Sequence, residues 1–85
     1  MTPKEIEKDV QRIMKKHDFF YEWGVYTNGD VEFDVQWGDW KHDHGFLTYI
    51  MQEYGYKQVR EVITEEDGSD CYSSIHTFKY VGKNN

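Results

Sequence analysis

The sequence predicts an α+β fold: a single two-layer domain of order α-β-β-α-β-β, with an antiparallel four-stranded sheet carrying two helices on one face. Three observations point there. The chain has 85 residues, enough for one hydrophobic core and too few to divide into two. Two stretches with apolar residues at helical spacing alternate with two stretches that read as hairpins. No Pro/Gly/Ser-rich linker, internal repeat or low-complexity tract interrupts residues 1–81, and only 82–85, Gly-Lys-Asn-Asn, read as a frayed tail. Hydrophobic residues make up 38% of the chain and aromatic ones 18%, so rings are expected to supply much of the interior.

The first helix is punctuated at both ends. Thr2 and Glu5 form a T-x-x-E capping box with Pro3 at the first helical position. Ile6, Val10, Ile13 and Met14 line one face, and Lys15, Lys16 and His17 occupy the last turn, where positive charge favours the helix dipole. The pattern predicts a helix over 3–17.

Residues 19–37 predict a hairpin around Thr27-Asn28-Gly29, because Val31, Phe33, Val35 and Trp37 alternate with Glu32, Asp34 and Gln36. Loop length decides which faces form. A two-residue Asn-Gly turn pairs Tyr26 with Val31 and sets Glu22 against Val35 on the apolar face. A three-residue loop with Gly29 left-handed pairs Val25 with Val31, Trp23 with Phe33 and Tyr21 with Val35 instead. The second register keeps apolar and charged positions apart and is the one expected. It gathers Glu22, Asp30, Glu32 and Asp34 on the opposite face, with Glu22 directly across from Asp34.

A connector over 38–42 leads to a second helix expected over 43–54, capped by Asp43, with Phe46, Leu47, Ile50, Met51 and Tyr54 as its apolar stripe. Gly55 suits the left-handed position that ends it. Residues 57–64 and 71–81 predict a second hairpin with two possible registers. A tight Asp67-Gly68 turn places Val59 and Ile63 on the face of Tyr72, His76, Phe78 and Tyr80, whereas a three-residue loop groups them with Cys71 and Ile75.

Charge is concentrated in one part of the chain. Ten basic and sixteen acidic residues leave a formal charge of −6, and residues 1–17, 18–55 and 56–85 carry +2, −7 and −1. An acidic chain without clustered Lys and Arg is a poor direct ligand for nucleic acid. No stretch reaches the ~18 to 20 apolar residues of a spanning helix, and no signal-peptide core follows Met1. With a lone cysteine, Cys71, these features lead us to expect a cytoplasmic protein with no membrane partner.

Catalytic signatures are lacking, so a non-enzymatic role with no cofactor is expected. Cys71 and His76 lie five apart on one strand and project to opposite faces. The seven glycines form no phosphate-cradling cluster. His76 reads as a half-buried sheet residue. Trp37-Gly38-Asp39-Trp40-Lys41-His42-Asp43-His44-Gly45 is the densest run of functional side-chain types. Asp39, His42, Asp43 and His44 form an alternative metal set, although the spacing lacks the second ligand pair of convincing zinc sites.

The stronger candidate is partner binding by Glu22, Asp30, Glu32, Asp34, Asp39 and Trp40. Carboxylates opposed across a strand pair cost stability, which suggests a basic partner. The four hairpin carboxylates also read as a solvated outer face that keeps the protein soluble, Asp39 as part of a solvated loop and Trp40 as a core residue. In style the chain resembles small acidic proteins of phages and mobile elements, many of which inhibit a host enzyme by occupying one of its surfaces. Taken with the acidic hairpin face, whose carboxylates can imitate a row of phosphates, that resemblance leads us to expect an inhibitor seated on the basic, nucleic-acid-binding surface of such an enzyme. A homodimer formed through an exposed sheet edge is the structural alternative.

Overall fold

The computed structural model describes residues 1–37, 44–65 and 72–82, with the side chains of Gln36, Trp37, His44, Gly45, Glu65 and Tyr72 excluded. Helix α1 spans Pro3–His17, strands β1 and β2 Glu22–Val25 and Val31–Trp37, helix α2 His44–Glu53, and strands β3 and β4 Tyr56–Glu65 and Tyr72–Tyr80. This is the predicted order, in one antiparallel sheet arranged β1-β2-β4-β3. Strand β4 lies antiparallel to both β2 and β3, so β2 and β3 run the same way and α2 makes the crossover between them.

The start of α1 forms as its cap residues dictate. The Glu5 N–H donates to Thr2 Oγ1 and the Thr2 N–H to Glu5 Oε1, at 3.2 and 3.0 Å. The bond from the Thr2 N–H, reinforced by one from the Thr2 side chain, holds the Glu5 carboxyl below its usual range. At the other end Asp18 takes the left-handed conformation at φ 54 and closes the helix on the Met14 carbonyl. Aspartate tolerates that conformation better than most residues, which is why no glycine marks this end.

Helix α2 runs one residue short of expectation at Glu53, and its expected cap, Asp43, lies outside the described residues. Gly55 follows at φ 91 as anticipated. Its carbonyl accepts from the N–H groups of Val81 and Gly82 at 2.8 and 3.1 Å. The last strand is thereby fastened to the helix exit, and Gly82, expected to fray, is tied down.

Both helices cover the same side of the sheet. Ile6, Val10, Ile13 and Met14 of α1 and Leu47, Ile50 and Met51 of α2 pack with Val31, Phe33, Val35, Tyr56 and Phe78 of the sheet and with Phe19. The helices supply branched aliphatics and methionine, and the sheet supplies rings together with Val31 and Val35. Phe33 meets Phe78 edge-on at 5.7 Å between centroids, and Phe19 lies 6.5 Å from Phe33, distances at which aromatic pairs attract. Phe46, expected in the stripe of α2, is 46% exposed, with its ring edge-on to that of Phe19 at 6.0 Å between centroids. Tyr54, also expected in the stripe, packs partly buried against the core, and its hydroxyl sits 2.8 Å from His17 Nε2 at the end of α1.

The first hairpin adopts the three-residue loop. Val25 pairs with Val31, Trp23 with Phe33, Gly24 with Glu32 and Glu22 with Asp34. Gly29 has φ 92, and a Cβ there would lie 3.3 Å from Ile6 Cδ1. The second hairpin follows neither predicted register. Ile63 pairs with Ser74 and Glu61 with His76, and a bulge between Gln58 and Arg60 shifts the remainder so that Tyr56 meets Tyr80. Ile63 thus shares the face of His76, as a tight turn would place it, but residues 66–71 separate the strands.

Two outcomes follow. Gly29→Ala is expected to cost ~1 to 2 kcal/mol in urea unfolding, because alanine resists the left-handed region and Ile6 Cδ1 must move. The Tyr56 hydroxyl, buried and donating to Asp9 Oδ2 at 2.9 Å, has its pKa pushed far up, first by burial and then by that hydrogen bond. A raised folded pKa gives stability that is complete below the ordinary tyrosine range and is lost progressively as pH climbs from there toward the folded value. Wild type should therefore lose stability steeply above about pH 10. Tyr56→Phe should be weaker near neutrality and flatter in alkali, as urea midpoints across pH will report.

Candidate acidic docking face

Among the described residues nothing covers the sheet face away from the helices, and register assigns its residues. One row across the sheet reads Glu22, Asp34, Ile75, Val62, and the next reads Gly24, Glu32, Thr77, Arg60. Adjacent rows alternate between faces: the row between these two, Trp23, Phe33, His76, Glu61, points to the helices. Three of the predicted residues, Glu22, Glu32 and Asp34, therefore come together. With Trp23 and Gly24 they line an open depression of about 280 Å³. Gly24 stands opposite Glu32, and a Cβ there would meet nothing within 4 Å, so the floor beside the carboxylate is open.

Glu32 is held by a neighbour. The Tyr26 hydroxyl donates to Glu32 Oε1 at 2.8 Å. That hydrogen bond, reinforced by desolvation and the carboxylate charge, raises the tyrosine pKa, and Arg60 opposes the rise. Asp30 is in different company: its N–H donates to Asn28 Oδ1 at 3.0 Å and its Oδ2 accepts from Asn28 Nδ2 at 3.3 Å. It belongs to the turn and does not line the depression. Asp39 and Trp40 lie outside the described residues. So do Asp39, His42 and Asp43 of the metal alternative, and the His44 side chain is likewise not described. Among the described residues no group of three or more His, Cys, Asp or Glu is placed to hold a metal ion.

Strand order adds something that no sequence window discloses. Arg60 shares the outer face, as do Lys57 and Lys79, paired with each other one row beyond the inward Gln58–Phe78 pair. The face is divided, acidic on β1–β2 and basic on β3–β4. Arg60 stands two strand spacings from Glu32, ~9.6 Å between backbones, close to one screening length in physiological salt.

A second polar group was missed altogether. His76, expected to be half-buried, is 1% exposed and Ser74 is fully buried. The His76 Nδ1–H donates to Gln58 Oε1 at 2.9 Å, its Nε2 faces the Ser74 hydroxyl at 2.9 Å, and the Thr48 hydroxyl donates to the same Gln58 oxygen at 3.2 Å. The order hydroxyl, imidazole, carbonyl imitates a nucleophile with its base and orienting group. Burial denies the Ser74 oxygen any approach by a substrate, so the relay serves to satisfy polar atoms inside the sheet. Cys71 lies outside the described residues.

These features define a class, a two-layer α+β protein with an uncovered and charge-divided sheet face. Comparison with known proteins returns no match: no family model, curated protein or solved structure matches the chain. No helix among the described residues is long and apolar enough to cross a membrane.

Glu22 directly opposite Asp34 should carry a measurable penalty, since like charges across a strand pair repel. Asp34→Asn is expected to stabilise the fold by a few tenths to ~1 kcal/mol at low ionic strength, with the gain shrinking as salt is added. Urea midpoints at two salt concentrations will report it.

Proposed function

We propose that this is a non-enzymatic interaction protein that docks its acidic β1–β2 face onto a basic protein surface, the nucleic-acid-binding channel of an enzyme, and inhibits by occupying it. The supporting observation is the grouping of Glu22, Glu32 and Asp34 around one open depression, with two of them directly opposed. Stability alone disfavours that arrangement. Along β2 the carboxylates recur about every 6.6 Å, half the linear charge density of one DNA strand, and Glu22 adds a second row one strand away. The match is to a fixed constellation of Lys and Arg rather than to a whole duplex. The protein itself binds no nucleic acid on this reading, and it works in the cytoplasm, as an inhibitor carried by a phage or mobile element would.

Charges at such an interface steer encounter and set register. Partner affinity should fall as salt rises, through slower association. The partner captured by immobilised protein should be released by heparin, a competing polyanion. Glu32→Lys combined with Asp34→Lys should weaken its binding by about tenfold or more, since close interfacial charge pairs are worth ~1.5 kcal/mol upward. Affinity that ignores both salt and the double substitution refutes the proposal.

A further inference from the structure

The sheet ends on β3, ten residues long, and among the described residues no strand pairs with its outer edge. Val59, Val62 and Ile63 on this strand are 51%, 36% and 54% exposed. Long, apolar, unpaired edges invite another strand, and proteins ordinarily shorten, charge or bulge them. Here the bulge sits between Gln58 and Arg60, leaving Arg60 to Glu65 as regular strand with its edge open. The opposite edge, β1, has four residues.

We propose that β3 is a homodimer interface, in which a second copy adds antiparallel across a two-fold axis at Val62 and produces a continuous eight-stranded sheet. The register follows from face and charge. The outer face carries Arg60, Val62 and Thr64, and the inner face Glu61 and Ile63, so a two-fold perpendicular to the sheet must pass through a residue position for the faces to match. Centring on Arg60 or Glu61 opposes identical charges, and centring on Ile63 sets Glu61 against position 65, another glutamate. Centring on Val62 pairs it with its own copy, Glu61 with Ile63 and Arg60 with Thr64. No like charges meet, and a β-branched pair forms at the axis, a favourable cross-strand contact. The inference is independent of the acidic face, which lies at the far side of the sheet. Dimerisation would leave that face free on both copies and point the two patches outward at opposite ends.

Sedimentation velocity on the full chain, with circular dichroism as a check on folding, tests the interface. Wild type is expected to sediment at twice the chain mass. Val62→Lys and Val62→Glu should each sediment at the chain mass, through repulsion at the axis, and mixing the two should restore the dimer. In a Cys71→Ser background, Val62→Cys should oxidise to a covalent dimer, because backbones directly opposed across an antiparallel pair stand ~4.5 to 5.5 Å apart, within disulfide reach. That variant decides the matter if either charged substitution fails to fold. Wild type monomeric at every concentration, charged variants that remain dimeric alone, a mixture that stays monomeric, or no crosslink at residue 62 would each overturn the proposal.

Discussion

Gly29 is the position on which the arrangement of charge and core depends. Its φ of 92 closes the loop in three residues, and its missing side chain lets Ile6 Cδ1 approach to within 3.3 Å of where a Cβ would stand. Both requirements disfavour other residues, the first by strain and the second by contact with α1. The loop length fixes the strand register, and a slip of one residue on β1 would turn Glu22 toward Val35. Burying a carboxylate there without a partner would cost several kcal/mol, against no backbone penalty for glycine. One turn thus delivers Trp23 and Phe33 to the core and Glu22, Glu32 and Asp34 to water.

The second hairpin is built on a different principle. The inward positions of β4 include Ser74 and His76 beside Phe78, and in β3 Gln58 lies inward beside Tyr56. An alternating apolar pattern is absent because these polar groups are satisfied by one another, through the chain from Thr48 across Gln58 and His76 to Ser74. Among the described residues no buried side-chain polar atom lacks a partner. A satisfied network of this kind is directional where apolar packing is not, so it specifies the alignment of β3 on β4 and of α2 on β3.

That contrast explains what could be read from the sequence. Helix α1 and the first hairpin were legible because their signals are local: a capping box within four residues, a stripe at helical spacing and a glycine at a turn. Three of the four described carboxylates proposed for binding followed from that register. Asp30 did not, because Asn28, two residues away, takes its side chain into the turn. The buried relay was illegible because its members lie 18 residues apart between Gln58 and His76 and ten between Thr48 and Gln58, and only the bulged register of β3 on β4 and the packing of α2 bring them together. The bulge between Gln58 and Arg60 has no signature in the run Gln58-Val59-Arg60.

Strand order also determines what kind of partner the outer face can accept. With β4 inserted between β2 and β3, Thr77 and Ile75 stand between the carboxylates of the first hairpin and Arg60, while Lys57 and Lys79 pair with each other further along the same face. A uniformly acidic face would attract any basic surface at any rotation about the contact. A face divided in this way attracts a basic patch on one half and repels it on the other, so a docked partner is held in one orientation. At a distance the opposing halves partly cancel; within one screening length each half acts on what it touches. Selectivity and weak long-range attraction are therefore two consequences of the same topology, and the overall charge of −6 describes neither.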